Sequence, residues 1–478
     1  MSRSGTETIA RALLTASALL GCQSGELPAA DLQTLRIPHG AVQSPDGEWL
    51  FVTNANLDAK EESSTLVMID LDAVFTAIDR PADAGAALSE SRPCRERDAV
   101  IECDVGAFID PSRSLRLPSG AGTIVLDRPY DGEGPWRLLT ASAIDPALSW
   151  IDVTPIKEGL TVECGQTVDQ RCDEAHTLTR RFNRPDGDLL PPDGARLRLD
   201  DQGFRYAYLP HLFGGLSGDS PGRRGSWLTL IALDGRGGGP EIVDVEGRFY
   251  RPANQETSTY AGGYAVVSRP CDPADPSVIS SECTAPYLLT SHRFWPGIRE
   301  FSVLTASRTV QGRGDIGFAE SNPAVVEDRP YTADLRFEDE RGDRLLLVHN
   351  APPAISRIDT RIDEANGRIK AETIATASLC DNPNILALWR PPVGESLALI
   401  SCYGDDAIAA VSLGAFARVA TIAVGDGPNE LVVDDARRLL YVVETLGDAI
   451  AIVDLDSRSS RYLKVIARLA PRDRLESL

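Results

Sequence analysis

A repeated segment limits the possible folds of this chain more than any other feature of its sequence. The clearest copies begin at Pro38–Gly40, Pro383–Asn384 and Gly427–Asn429. Each copy predicts a strand, a turn rich in Asp and Gly, a strand of β-branched and aromatic residues, a polar turn and a further strand. A period of about 40 to 50 residues with this pattern is typical of the blades of a β-propeller.

Looser copies of the repeat fill the region between the clear ones. The predicted blades begin at Pro38, Pro118, Pro192, Pro252, Pro330, Pro383 and Pro428. The predicted second strands are Trp49–Thr53, Trp136–Ala141, Arg205–Leu209, Gly263–Val267, Arg344–Val348, Leu397–Ser401 and Leu439–Val443. The predicted third strands are Leu66–Leu71, Ser149–Val153, Leu228–Leu233, Ile298–Leu304, Ile355–Thr360, Ile408–Leu413 and Ile450–Leu455. We therefore predict an all-β fold, a single β-propeller of seven four-stranded blades with long inserted loops, with six or eight blades as the alternatives.

The chain divides into three predicted parts. Residues 1–21 form a signal peptide, residues 22–37 form an anchor linker and possible closing strand, and residues 38–478 form the propeller. Either Leu32–Ile37 or Arg461–Leu469 could complete the last blade. The alternative division has an irregular β region before Pro330 and a short repeat array after it. We favour the closed ring because an open array would leave sheet edges exposed.

The antiparallel order of the strands sorts the loops between two faces. The turn into each first strand and the turn after each second strand share one face, which we call the top face. We predict that the insertions Pro210–Ser226 and Arg269–Pro286 lie on the top face. Ala73–Ile101 is predicted at the opposite face or outer edge, and Thr161–Arg180 at the outer strand of blade 2. Because loops on a rigid scaffold often carry function, the top face is the predicted binding face.

The clearest repeats carry short motifs at matching places. They are PHG at Pro38–Gly40, SPDG at Ser44–Gly47, FVTN at Phe51–Asn54, IDLD at Ile69–Asp72, GDGPN at Gly425–Asn429, YVVE at Tyr441–Glu444 and IVDLD at Ile452–Asp456. With these motifs the chain resembles the YVTN-type β-propeller family, which includes the YncE-like and lactonase-like extracytoplasmic propellers. The resemblance implies an extracytoplasmic propeller, but such folds carry many activities.

The first 22 residues predict the cellular address. An apolar segment, Ala12–Gly21, precedes Cys22 and is too short to span a bilayer. Leu19–Cys22 resembles a bacterial lipobox, which implies cleavage before Cys22 and acylation of that residue. An ordinary signal peptide is the alternative. Gln23 follows the cysteine in place of the Asp of an inner-membrane retention signal, which favours the outer membrane. Two or three acyl chains anchor a protein stably, so the lipid is the predicted membrane contact.

Eight further cysteines agree with export to an oxidising compartment. Neighbours along the chain are separated by 9, 8, 12 and 22 residues, with much longer gaps between these pairs. We predict four disulfides: Cys94–Cys103, Cys164–Cys172, Cys271–Cys283 and Cys380–Cys402. Metal binding by these cysteines is disfavoured because no CxxC-like ligand pair is present.

The charge balance argues against two classes of partner. Lys and Arg number 48 against 70 Asp and Glu, giving a net charge of −22. A nucleic-acid-binding protein normally has a basic stripe, and a membrane-surface binder has a polybasic segment. We predict neither, and we expect a monomer.

Polar residues at the blade starts and at the ends of second strands define a candidate binding site. They are His39, Asn54, Asn384, Asn429 and Glu444, and they are predicted to surround the mouth of the central channel. Their oxygen atoms could hold Ca²⁺, although no EF-hand pattern is present and no other cofactor is predicted. The simpler interpretation of His39 is that it fills the turn position that Asn384 and Asn429 fill in other blades.

Three functions fit these features. The first is a lipid-anchored, non-catalytic scaffold whose top-face loops bind an envelope protein, a peptide or a glycan. The second is a lactonase-like hydrolase at the channel mouth. The third is a metal- or redox-associated accessory propeller, whose metal would be held by scattered histidines such as His39, His211 and His349.

Overall fold

Nearly all regular structure of this protein is β-strand. The computed structural model describes residues 27–58, 60–82, 87–128, 134–157, 159–165, 167–191, 194–212, 227–235, 238–246, 263–270, 285–293, 297–317, 332–363, 365 and 368–477. These residues form seven sheets, each built on four antiparallel strands, which are the blades of a β-propeller; the sheets of blades 2 and 7 carry additional strands. The predicted fold class and blade number are therefore confirmed.

The strands of each blade run from the central channel outwards in chain order, and we number blades and strands accordingly. Blade 1 contains Pro38–Gln43, Trp49–Asn54, Ser64–Asp70 and Leu115–Leu117. Blade 2 contains Ala121–Asp127, Trp136–Ser142, Ala147–Ile156 and Gly159–Glu163, with Thr177–Leu178 paired to its third strand. Blade 3 contains Arg198–Leu199, Tyr206–His211, Trp227–Ala232 and Glu241–Glu246. Blade 4 contains Gly263–Ser268, Tyr287–His292, Gly297–Leu304 and Thr309–Gly317.

The last three blades are more regular in length. Blade 5 contains Thr332–Phe337, Arg344–Asn350, Pro353–Asp359 and Glu372–Ser378, with a small hairpin of Ile362–Asp363 and Arg368–Ile369. Blade 6 contains Pro383–Trp389, Leu397–Cys402, Ala407–Ser412 and Ala417–Ala423. Blade 7 contains Pro428–Asp434, Leu439–Glu444, Ala449–Asp454 and Val465–Ala470. The C-terminal segment therefore supplies the fourth strand of blade 7.

One predicted second strand is wrong. Gly263–Ser268 is the first strand of blade 4, and Tyr287–His292 is the second. No proline stands directly before Gly263 to mark a blade start, and apolar β-branched residues suit either position. The insertion Arg269–Pro286 therefore joins a first strand to a second strand, and most of it, residues 271–284, lies outside the described residues, as does most of the insertion Pro210–Ser226.

Second and third strands are buried on both sides because each blade packs between two neighbours. Leu50, Phe51 and Val52 are all 0% exposed in the second strand of blade 1. Burying one such side chain contributes about 1.5 to 3 kcal/mol. Blades 6 and 7 share a similar apolar interface that includes Trp389 and Leu399. This layered apolar packing holds the ring together and leaves the first strands free to line the channel.

The insertion in blade 1 reinforces the join between the first and last blades. After the third strand comes the helix Leu71–Ile78, capped by the Asp70 carboxylate, which accepts a hydrogen bond from the Ala73 N–H. The hairpin Cys94–Arg97 and Val100–Asp104 then adds to blade 7, where Val100–Asp104 runs parallel to the fourth strand. The 3₁₀ helix Val105–Phe108 leads back to blade 1. Blade 1 thereby covers the outer edge of blade 7, which would otherwise be an open sheet edge.

Two further short helices lie in the loops and at the end of the chain. They are the 3₁₀ helix Arg181–Asn183 and the α-helix Arg472–Ser477. In the part of the chain that the structure describes, no helix is long and apolar enough to cross a membrane.

Disulfides join three of the four pairs that the spacing predicts. Cys94–Cys103 ties the blade 1 hairpin, and Cys164–Cys172 closes the loop after the fourth strand of blade 2. Cys380–Cys402 joins the approach to blade 6 to the end of its second strand. The predicted pair Cys271–Cys283 and the acylation site Cys22 lie outside the described residues.

Candidate functional site

The mouth of the central channel is built from the second residues of three inner strands. His39, Asn384 and Asn429 each follow the proline that begins a first strand. The pairing register shifts just after each proline, between Pro38 and Gly40 in blade 1 for example. The irregularity places these three side chains around a cavity of about 350 Å³, which Tyr264, Arg293 and Tyr403 also line.

A directed chain of hydrogen bonds crosses this cavity from blade 4 to blade 1. The Tyr264 hydroxyl and the Arg293 Nη2 both donate to Asn384 Oδ1, over 2.7 Å and 2.6 Å. Asn384 Nδ2 donates to Asn429 Oδ1 over 2.9 Å, and Asn429 Nδ2 lies 3.3 Å from both Nδ1 and the carbonyl oxygen of His39. Each amide has one orientation that satisfies all its neighbours, so the donor and acceptor ends of both are assigned by the network.

The network also assigns the form of the His39 ring. Burial lowers the pKa of His39, with Glu430 raising it and Arg196 lowering it, so the imidazole is neutral at pH 7. Because Asn429 Nδ2 donates to Nδ1, the proton of the neutral ring is on Nε2. His39 therefore offers a hydrogen-bond donor at its second nitrogen.

A cluster of guanidinium and carboxylate groups lies among the inner strands. Arg196 donates from both terminal nitrogens to Glu430, over 3.1 Å and 3.0 Å, and so links blades 3 and 7. Arg198 Nη2 donates to both oxygens of Asp334 in blade 5, over 3.2 Å and 3.1 Å. Asp334 is 0% exposed, and Arg196 Nε lies 3.6 Å from its Oδ2. The four groups stabilise one another across the channel.

The charges of this cluster explain the protonation of Asp334. Burial raises the pKa of this carboxyl group, but the neighbouring charges of Arg196, Arg198 and Arg336 and the Leu386 N–H outweigh burial and hold it at about 2. Asp334 is therefore ionised throughout the neutral range.

Two of the five predicted mouth residues lie apart from the cavity lining. Asn54 accepts from the Arg36 N–H and donates to Thr34 O and Thr65 Oγ1, so its amide is used within blade 1. Glu444 accepts from the Gly425 N–H over 2.5 Å and pairs with Arg468 of the outer strand. The structure thus brings together His39, Asn384 and Asn429 but not Asn54 and Glu444.

The other histidines lie in different surroundings. His211 and His349, at the top ends of second strands, are buried and contact Thr229 and Ser356 through Nε2. His176 is on the outer side of blade 2, where Asp173 lies 2.7 Å from its Nδ1. Among the residues that the structure describes, no group of three or more His, Cys, Asp or Glu side chains is arranged to hold a metal ion.

Sequence reasoning missed most of the basic and aromatic groups of the channel. Tyr264 and Arg293 come from blade 4, where the sequence predicts Gly263–Val267 as a second strand instead of a first strand. Arg196 and Arg198 precede the second strand of blade 3 at alternating positions, and Asp334 and Arg336 do the same in blade 5. This alternation of charged residues before the second strands was the sequence signal that could have predicted the charged cluster.

Comparisons with known proteins give structural similarities only. No family model and no curated protein matches the chain. Hydrazine synthase of Kuenenia stuttgartiensis is similar in structure, with 14% identity and a TM-score of 0.49, covering 92% of this chain and 100% of that one. A putative 6-phosphogluconolactonase from Bacteroides uniformis has 12% identity and a TM-score of 0.48, covering 81% and 85%. Sqt1 of Saccharomyces cerevisiae has 11% identity and a TM-score of 0.47, covering 92% and 88%.

Proposed function

We propose that this protein is a YVTN-type propeller of the cell envelope that binds a ligand without chemical conversion. The ligand is an acceptor-rich molecule, a peptide or glycan presented by an envelope component, and it docks at the channel mouth on the top face. The observation that carries the proposal is the chain of hydrogen bonds from Tyr264 through Asn384 and Asn429 to His39.

The direction of this chain determines what the cavity recognises. The side-chain oxygens of Asn384 and Asn429 and the Nδ1 of His39 each accept a hydrogen bond within the chain, so the His39 Nε2–H and the remaining N–H groups of Arg293 are the proposed donors to the ligand. Arg293 also stacks over the Tyr264 ring at 4.2 Å, which fixes its orientation. Preorganised donors of this kind suit carbonyl and hydroxyl oxygens, which are abundant in peptides and glycans.

The same contacts favour binding over hydrolysis. A general base needs a free lone pair near the reacting group, and the Nδ1 lone pair of His39 accepts from Asn429. The carboxylates of Glu430 and Asp334 are held by Arg196 and Arg198. Groups in this arrangement are suited to hold a ligand rather than to transfer its protons.

The proposed address rests on the first 22 residues and on the disulfides. We propose acylation at Cys22 and attachment to the outer membrane. Labelling cells with an alkyne fatty acid should mark the wild-type chain but not the Cys22→Ser variant, and the variant should become extractable without detergent. Equal labelling of both would contradict the anchor and leave the binding proposal intact.

The binding proposal is tested with soluble Cys22→Ser protein on peptide and glycan arrays. We expect saturable binding that falls at least tenfold in Asn384→Ala and His39→Ala, because each change breaks the hydrogen-bond chain. His176→Ala is the matched control, since this histidine is on the outer side of blade 2, and it should bind as the wild type does.

Lactone and ester hydrolysis is measured on the same proteins. Turnover that disappears in His39→Ala but persists in His176→Ala would overturn the proposal in favour of the hydrolase. Binding that is unchanged in both mouth variants would show that the ligand does not bind at this cavity.

A further inference from the structure

Blades 3 and 5 carry an arginine at one position of the first strand where blades 1, 4, 6 and 7 carry a small apolar residue. Arg198 pairs with Tyr208, and Arg336 pairs with Leu346, each the third residue of its blade's second strand. The residues in the equivalent register of blades 1, 4, 6 and 7 are Val42, Val267, Ala387 and Val432. Those four blades are therefore built without a charge at this position.

The two arginines have more donors than the neighbouring carboxylates can accept. Asp334 already accepts from Arg198 and from the N–H groups of Leu335 and Leu386. Glu430 is held by Arg196 in a two-bond pair. Three guanidinium groups thus share two carboxylates in this cluster.

Several donors remain without an acceptor among the described residues. Arg198 Nε is buried and makes no hydrogen bond. No described residue accepts a hydrogen bond from, or forms an ion pair with, the Arg336 guanidinium. The Asp201 carboxylate accepts from Gln202 Nε2, and it acts on Arg336 through its charge without an ion-pair contact. Arg198 bonds to Asp334, and Arg336 lies two residues after Asp334 in the same strand, so both guanidinium groups lie beside one carboxylate. Burial, followed by the charges of Arg336 and Arg196, lowers the pKa of Arg198 to about 9.

We propose that Arg198 and Arg336 form a binding site for a small oxyanion, a carboxylate or a phosphate group, in the channel between blades 3 and 5. Guanidinium groups present paired N–H donors that match two oxygens of such a group. An anion bridging the two arginines would complete the hydrogen bonds of both and neutralise the excess positive charge. Both arginines lie near the ends of first strands, and both keep partial exposure. Neither arginine lines the mouth cavity, so the proposed site is separate from it.

The test uses the soluble Cys22→Ser protein and isothermal titration with two probes, sodium phosphate and sodium succinate. We expect saturable binding of at least one probe above a sodium chloride control of equal ionic strength, which accounts for screening. Arg198→Val and Arg336→Val, which introduce the residue of three other blades, should each weaken that binding at least tenfold. Arg341→Val changes an exposed arginine in the turn of blade 5 and should have no effect.

The results also distinguish the source of the oxyanion and a purely structural role. Binding of phosphate alone indicates a phosphate ester, and binding of succinate alone indicates a carboxylic acid. In buffer without either probe, Arg336→Val should keep a cooperative thermal transition, because no hydrogen bond to a described residue is lost. Weaker binding by this variant then reports the loss of the site and not unfolding.

Two results would overturn the proposal: no saturable binding by the wild type, or equal binding by the wild type and a folded Arg336→Val variant. Asn384→Ala should retain oxyanion binding, because Asn384 belongs to the mouth cavity. A failure of the oxyanion proposal can therefore be told apart from a failure of the ligand-binding proposal.

Discussion

Replacing Asp334 with Asn should destabilise the protein strongly, because it removes the negative charge between three arginines. The pKa of this carboxyl group falls from its ordinary value of 3.8 to about 2 in the folded protein. By linkage this difference corresponds to about 2 kcal/mol of stability at neutral pH. Leaving Arg198 buried without its counter-charge adds to this, and removing one partner of a buried pair costs about 3 to 5 kcal/mol in other proteins. We therefore expect a loss of about 2 to 5 kcal/mol, equivalent to about 2 to 5 °C in melting temperature for a chain of this length.

The assay is urea unfolding followed by tryptophan fluorescence at several pH values. The difference between wild type and Asp334→Asn should be complete above pH 3.8 and should disappear as the pH falls through about 2, because a lowered carboxyl pKa stabilises only the ionised state. Asp72→Asn is the control: its carboxylate is 63% exposed and pairs with Arg437, so its loss should be below about 1 kcal/mol. Equal midpoints for wild type and Asp334→Asn at pH 7 would refute the stabilising role of this cluster.

Three further perturbations test other parts of the fold. Gly40→Ala should cost about 1 to 3 kcal/mol in thermal unfolding, because an added Cβ would lie 2.5 Å from the Gly122 carbonyl oxygen of blade 2; an unchanged melting temperature would contradict this contact between blades. The double change Cys380→Ser and Cys402→Ser should lower the free energy of unfolding by about 3 kcal/mol, because the disulfide closes a 22-residue separation. Complete reduction of both proteins should remove the difference, and a difference that persists would show that the disulfide is not its source. Burial lowers the pKa of His349 from 6.5 to about 4. As the pH falls through this range, the unfolded state binds a proton before the folded state does, so the free energy of unfolding should fall by about 3 kcal/mol. His349→Gln should lack that part of the pH dependence, and an identical profile in urea titrations would show that His349 is not its source.

The sequence predicted three residues of the candidate site correctly and misplaced others. The PHG and GDGPN motifs put His39 and Asn429 at equivalent places, and the structure places both at the cavity with Asn384. Asn54 was assigned to the same mouth from its position at a strand end. Its side chain instead bonds to Thr34 and Thr65, because the segment before blade 1 folds back onto it. Strand position predicts the end of the sheet at which a residue lies, but the neighbouring loop decides which way its amide faces.

The assignment of blade 4 failed for a related reason. Gly263–Ser268 has the composition of a second strand, and the alternation of buried residues does not record how many strands separate it from the channel. Only its pairing with Tyr287–His292 shows that it is the first strand. That pairing also brings Tyr264 to the mouth, where its hydroxyl reaches Asn384, 120 residues later in the chain.

The sequence by itself determined the properties that depend on short separations. Alternating apolar residues and Asp/Gly turns specify four-stranded blades, and cysteines 8 to 22 residues apart meet in three disulfides. The tertiary structure alone decided which charges face each other, since Arg196 reaches Glu430 across 234 residues of sequence. It also decided that the hairpin of blade 1 covers the edge of blade 7. Such contacts depend on closure of the whole ring, which brings inner strands from distant repeats around one channel, and no local pattern records that distance.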